Sequence, residues 1–209
     1  MPASSASISF QDADLVEQVR DGDTAAFGHL VAKYQDRVYN TVLRINGNAD
    51  DARDLTQDAF LRALESLDSF SGRAGFYTWL FRIAVNLTIS DGRMMQRRKT
   101  VSLEPRTGSL GAGEWAVNRQ GAGLVGELHS DEENPQAAAS RTEVNILVVE
   151  ALNELEDEHR TVLVLKDIES MDYAQIAEIL DVPLGTVKSR VHRARMALRD
   201  KLRPLVVQT

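Results

Sequence analysis

Apolar positions recur about one helical turn apart over two long stretches of the chain, and between them the period fails. From residue 12 to 98, Leu15, Val16 and Val19, then Phe27, Leu30, Val31 and Tyr34, then Val38, Val42 and Leu43 follow this spacing, which predicts amphipathic helices almost throughout. Gly22, within the Asp21–Thr24 cluster, separates the first two helices. A third helix is expected from near Ala49 to about Leu67, where Asp50 and Asp51 can cap free amides and suit the positive end of the dipole. Its apolar stripe is Ala52, Leu55, Ala59, Phe60, Ala63 and Leu67. Asp68 to Gly75, with Ser69, Ser71 and two glycines, reads as a loop, and a fourth helix follows from about Phe76 to Arg98.

From Thr100 to about Ala139, six glycines and two prolines with little periodicity predict a flexible linker. Helical spacing resumes near Arg141, through Ile146, Val149 and Leu152, then Val162, Leu165 and Ile168, then Ile176, Ala177 and Leu180, and ends in a basic helix. The expected fold class is therefore all-α. Two small helical domains, residues 12–99 and 141–209, are joined by a flexible linker over 100–140, with a disordered stretch over 1–11 in front. Four short helices make up the second domain.

Composition narrows the chemistry. The chain has no cysteine, and its four histidines (His29, His129, His159, His192) have no spacing suited to a metal, so disulfides, thiolate catalysis and a metal site are not expected. It has no apolar run long enough to span a bilayer and no basic residue ahead of an apolar core near the start, which predicts a cytoplasmic protein. A net charge of −7 argues at first against nucleic acid, because cationic side chains supply most non-specific affinity. The charge is segregated, however. Residues 50–68 carry six acids against two bases, whereas 182–204 carry seven bases against Asp200 alone, which suggests one surface for a protein partner and another for a polyanion.

Three motifs carry most of the information. In MDYAQIAEILDVPLGTVKSRVHRARMALRDKL, Asp172 can cap a helix ending near Leu180, a short turn contains Pro183, and Thr186 can cap a second helix. In that second helix Val187, Val191, Ala194, Leu198 and Leu202 form an apolar stripe. Lys188, His192, Arg195 and Arg199 lie on another face, with Ser189 and Arg193 beside it. This is the pattern of a helix-turn-helix whose second helix fits the major groove. In DARDLTQDAFLRAL, Asp51, Asp54 and Asp58 share a face with Gln57, an acidic strip whose default reading from this helix alone is a solvated surface. In FSGRAGFYTWLFRIAVNLTISDGRMMQRRK, aromatic residues precede the basic residues Arg93, Arg97, Arg98 and Lys99, a combination suited to stacking bases and neutralising phosphates of single-stranded nucleic acid. Trp79 and Ile83 are expected to pack inward. Phe70 is expected to be freer in its loop, and Asn86 offers a bidentate amide.

Together, DARDLTQDAFLRAL, SFSG, FYTWLFRIAVN and VPLGTVKSRVHRAR resemble, in order, the motifs of extracytoplasmic-function sigma factors of the sigma-E type. The resemblance covers about residues 12–99 and 141–204. It implies a non-enzymatic subunit, without cofactor or small-molecule substrate, that binds bacterial core RNA polymerase and directs initiation at stress-response promoters. Asp51, Asp54, Leu55, Gln57, Asp58, Phe60 and Leu61 would dock on the polymerase clamp helices. Phe70, Ser71, Gly72, Asn86, Arg93, Arg97 and Arg98 would take the minus-10 element, with a base flipped from the melted strand. Thr186, Lys188, Ser189, Arg190, His192 and Arg193 would read the minus-35 element as duplex. An anti-sigma factor, often membrane-bound, is implied as a further partner. Lys188 and His192 stand where relatives often carry arginine and an aromatic, and lysine is a point donor rather than a planar fork.

Three other readings fit less of the sequence. A response-regulator output domain would need a receiver of alternating strands and helices, and the first half has no strand pattern. Asp50, Asp51 and Asp54 spell the D-D-x-x-D of diphosphate-using synthases, but no second aspartate-rich helix accompanies them. A pure interaction protein, such as an anti-sigma or adaptor, is the third class, and strong promoter-specific DNA contact by Lys188 and Arg193 would count against it.

Overall fold

The computed structural model describes residues 5–101 and 147–206, with side chains described over 11–94 and 147–203. No strand occurs among the described residues. The helices are α1 (Ser5–Arg20), α2 (Thr24–Asn46), α3 (Ala49–Glu65), α4 (Phe76–Val101), α5 over 147–153, α6 (Asp157–Leu163), α7 (Tyr173–Leu180) and α8 (Leu184–Val206). Helix α1 starts seven residues before the expected boundary at residue 12, since a helix once nucleated propagates at little cost per residue. Helix α4 enters the expected linker as far as Val101. The remainder of that linker lies outside the described residues.

Local chemistry sets the ends of these helices. Gly22, at φ 99°, turns the chain after α1, and the Asp23 carboxylate accepts the Ala25 amide at 2.9 Å to start α2. Gly47 closes α2 at φ 84°, its N–H donating to the Leu43 carbonyl at 2.8 Å, in a conformation that penalises any side chain. Asn48, rather than Asp50 or Asp51, caps α3, its Oδ1 accepting the amides of both aspartates at 2.9 and 3.3 Å. The two aspartates lie in the first turn, where their charge favours the dipole. Asp172 caps α7 in a reciprocal box with Gln175. Helix α8 begins at Leu184, so Thr186 is a first-turn residue whose amide donates to the Pro183 carbonyl at 2.8 Å, and not the cap expected from the sequence. At 23 residues α8 is also far from short.

In the first half, Leu30, Val38 and Val42 of α2 meet Ala52, Ala59 and Ala63 of α3 and Leu80, Phe81 and Val85 of α4, all fully buried. Three alanines on the inner face of α3 let it approach its neighbours closely. Buried Asp12 of α1 accepts hydrogen bonds from Lys33 and from the Tyr34 hydroxyl of α2. Burial, and then Asp12, push the Tyr34 phenol well above its ordinary range, so it remains a neutral donor. In the second half, Val162, Leu163, Val164 and Leu165 pack with Met171, Ile176, Ile179, Val187, Val191 and Ala194.

The two halves also pack on each other. Their buried residues form one continuous cluster, with α7 lying along α4 and α6 touching α2. Arg160 is 8% exposed and donates to the carbonyls of Leu152, Asn153 and Leu155 in its own half and, at 2.8 Å, to that of Ile45 at the end of α2. Burial presses its pKa down, and the nearby Asp157 opposes this. Removing the guanidinium leaves four carbonyls without this donor. Arg160→Ala is expected to lower the unfolding free energy by about 2–4 kcal/mol in urea titrations. Arg160→Lys should recover less than half of that, because an ammonium cannot span four acceptors.

Candidate functional site

Three surfaces gather the residues singled out by the sequence. The first is the outer face of α3. Asp54, Gln57 and Asp58 are exposed along it and Asp51 is half-buried. Leu61 and Leu64 are 51% and 40% exposed, which is costly for leucine unless something covers it. Beside them a shallow groove of about 440 Å³ runs between α2 and α3, lined by Phe27, Val31, Gln57, Phe60, Leu61 and Leu64 among others. An apolar floor next to an acidic strip suits an amphipathic helical partner with basic flanks. Leu55, at 9% exposure, corrects the sequence reading: it packs inward and does not line the groove. Phe60 is likewise mostly core, showing only an edge to the groove.

The second surface is the 70–75 loop with the outward face of α4. Phe70 is not free as expected. It is 9% exposed and packs with Phe76 and Trp79, the three ring centroids lying 5.1–5.9 Å apart. The Arg20 guanidinium holds its backbone, donating to the carbonyls of Leu67 and Phe70 at 3.0 and 2.5 Å. The buried ring thus anchors a loop whose Ser71 and Gly72 are exposed, with Gly72 at φ 71°. Asn86 is exposed on α4 and its side-chain amide makes no hydrogen bond among the described residues, while its backbone carbonyl accepts from Ser90 at 2.7 Å. Trp79 is half-buried, and Arg82, Asn86 and Arg93 are exposed at spacings that share its face of the helix. Arg82 was missed in the sequence, although its position four residues before Asn86 was a usable signal. Arg97 and Arg98 continue the helix, but their side chains lie outside those described.

The third surface is the helix-turn-helix of α7 and α8, joined through Asp181 in the left-handed region at φ 52°. Val187, Val191 and Ala194 bury the inner stripe, which leaves Lys188, Ser189, His192 and Arg193 exposed on the outer side. No carboxylate among the described residues pairs with Lys188 or His192. Arg190 departs from the expectation: it is half-buried, its side chain turned to Glu158 at 3.2 Å. Arg195 forks onto Asp167 at 2.5 and 3.2 Å, and that hydrogen bond pushes its pKa up. Exposed Leu184, at the mouth of the reading helix, was not singled out by sequence. No group of three or more histidine, aspartate or glutamate side chains placed to hold a metal occurs among the described residues. No helix among them is long and apolar enough to cross a membrane.

An acidic helix, a helix that exposes an amide among cations, and a helix-turn-helix are what a two-region sigma-70-type factor presents, and the comparisons place the chain in that class. Residues 30–99 match Sigma-70 region 2 and residues 146–198 match Sigma-70, region 4. The chain is 36% identical to the extracytoplasmic-function sigma factor SigW of Bacillus subtilis over 91% of its length and 96% of the relative's. It is 37% identical to the sigma-E factor of Escherichia coli over 93% and 96%. Among solved structures it resembles CnrH in complex with the cytosolic domain of CnrY, with a TM-score of 0.62 and 25% identity over 93% of this chain and 98% of that one. The sigma factor RpoE of Bartonella quintana, in complex with the anti-sigma factor NepR, shares the fold at a TM-score of 0.59 and 23% identity, over 85% and 96%. The chain belongs to the extracytoplasmic-function RNA polymerase sigma factors, which direct promoter-specific initiation of transcription.

The corrected placements give a direct check. Leu61→Asp, on the surface, should change stability by less than about 0.5 kcal/mol, whereas Leu55→Asp and Phe70→Ala should each cost about 3 kcal/mol or more in chemical denaturation.

Proposed function

We propose that the acidic strip Asp51, Asp54, Gln57 and Asp58, with exposed Leu61 and the adjoining groove, docks on the clamp helices of core RNA polymerase. Ser71, Gly72 and Asn86 capture a base flipped from the melted minus-10 strand while Arg93, with Arg97 and Arg98 farther along the helix, neutralises phosphate. A base leaving the stack loses a few kcal/mol, so a pocket that hydrogen-bonds it both selects sequence and stabilises the open strand. Lys188, Ser189, His192 and Arg193 read the minus-35 duplex. Thr186, in the first turn of α8, shapes the entry of that helix, and Arg190 is held by Glu158 as a scaffold residue. Residues 12–99 and 141–209 are the two functional regions, bridged by 100–140.

The observation that carries this reading is the exposure of Asn86, Lys188 and His192, whose side chains make no hydrogen bond or ion pair among the described residues, on two different helices, of which α8 also carries several ion pairs. In this reading the protein catalyses nothing and needs no cofactor. It acts in the cytoplasm, and phosphodiester chemistry belongs to the polymerase. The complexes of CnrH with CnrY and of RpoE with NepR support an anti-sigma factor as a further partner here, and membership of the family supports control of stress-response genes.

Run-off transcription with core polymerase on a promoter library tests the proposal. Specific transcripts should depend on this protein and fall at least tenfold with Asn86→Ala or Lys188→Ala, since a lost base contact costs about 1–3 kcal/mol. Arg190→Ala should keep most activity. Absence of any transcript together with no association with core would overturn the assignment.

A further inference from the structure

The chain leaves α3 through a single 3-10 turn, Leu67–Ser69, and Phe70 then takes the extended ψ of 109° that leads to exposed Ser71. A helical turn ends in carbonyls that its own backbone does not fully satisfy, and from the backbone the Leu67 carbonyl accepts the Phe70 amide at 3.0 Å. Arg20, in the last turn of α1, supplies a further donor to this turn. One nitrogen, Nη2, donates to the Leu67 carbonyl at 3.0 Å and to the Phe70 carbonyl at 2.5 Å. Its Nη1 pairs with Glu17 one turn back at 2.9 Å, and the side chain is only 27% exposed, so the guanidinium is directed into the loop and not left to solvent.

Beyond Phe70 the loop is untied. Residues 71–74 make no hydrogen bond among the described residues, and the backbone is next held at Gly75, whose carbonyl accepts the Trp79 amide at 3.2 Å. The buried Phe70 ring, packed on Phe76 and Trp79, holds the side chain of that residue but not the peptide that follows it, because ψ turns about the Cα–C bond and leaves the ring in place. The bond from Arg20 to the Phe70 carbonyl fixes that torsion. It thereby sets where Ser71 begins, and Gly72, at φ 71°, carries the turn from there.

We infer that Arg20 is a positioning residue for base capture: by holding the Leu67 and Phe70 carbonyls it presets the Ser71–Gly72 segment in the position that discriminates among bases, without itself touching DNA. This inference rests on the assignment of that loop and Asn86 to the minus-10 strand proposed above. A wrong base is rejected only when the groups facing it cannot move to meet it, so selectivity needs donors and acceptors that are fixed in advance. A loop whose first torsion is free adjusts to other bases and loses entropy each time it does so. Loss of Arg20 therefore lowers discrimination more than it lowers affinity for the preferred base. A direct phosphate contact does the reverse, weakening binding to every sequence alike.

The test uses holoenzyme assembled from core polymerase and the full-length chain, with single-stranded oligonucleotides carrying a randomised segment. Sequencing the bound strands gives the ratio of best to worst base at each position, a quantity that does not depend on the fraction of protein folded. The captured position is the one whose ratio falls most in Asn86→Ala. At that position Arg20→Ala should lower the ratio by about fivefold or more, while affinity for the preferred sequence falls less than about threefold. Arg20→Lys should keep more than half of the selectivity, since one nitrogen serves both carbonyls. Salt titration separates the two roles: the slope of log affinity against log salt should stay unchanged in Arg20→Ala and fall by about 0.7 in Arg93→Ala, as for one phosphate contact to a single strand. Unaltered base ratios in Arg20→Ala, or a salt slope that falls as in Arg93→Ala, overturn the positioning role. If Asn86→Ala also leaves every ratio at the wild-type value, the base-capture assignment itself fails, and this role with it.

Discussion

Burying a charge in a protein interior is unfavourable unless hydrogen bonds replace the lost water, and two such charges organise this molecule. Arg160 closes the carbonyl-rich end of α5 and reaches the end of α2, and Glu169 collects a guanidinium, a phenol and a hydroxyl from α2 and α4. Glu169 finds its side-chain donors only while the two halves are together, whereas Arg160 makes three of its four hydrogen bonds within its own half and one across. Burial, followed by the charge of Glu169, pushes the Tyr77 phenol up, whereas Arg37 is held charged by its bond to Glu169 against the cost of burial. Arg37 is thereby held as a cation and Tyr77 as a neutral donor at this contact.

The same separation of roles explains how an acidic chain can read DNA. Negative charge is concentrated on α3, away from the helices whose cations face outward, and several arginines of α8 are already committed to Glu158, Asp167 and Asp200. The pairs with Glu158 and Asp167 tie α8 to the elements that support it, whereas Asp200 lies on α8 itself. Lys188, His192 and, on α4, Asn86 have no such pairing among the described residues, and on the proposed reading specificity rests on these few groups.

Much of this was legible in the sequence because it follows from periodicity and turn chemistry. The apolar stripes of α3 and α8, the Asp172 cap, the acidic strip and the exposure of Lys188, Ser189, His192 and Arg193 all lie where the pattern placed them. The errors share one physical cause: a residue's type does not reveal its partner. Phe70 reads as a loop aromatic until Phe76 and Trp79 close around it, and Leu55 reads as part of a docking motif although it faces the core. Arg190 counts as a DNA-facing base until Glu158 claims it. Arg37, Thr41, Arg160 and Glu169 look like ordinary solvated positions, because contacts between residues more than a hundred apart leave no periodic trace.

The measurement closest to the centre of this account is the distance between the two halves in solution and on DNA. Spin labels on Glu65→Cys of α3 and Glu178→Cys of α7, both exposed positions, report it by pulsed electron resonance without touching the reading surfaces. The account predicts one short, narrow distribution for the free protein and a distribution longer by tens of ångströms when polymerase and promoter are added, as the spacing of the two DNA elements requires. A broad, long distribution in the free protein, or the same short distance in the promoter complex, would contradict it.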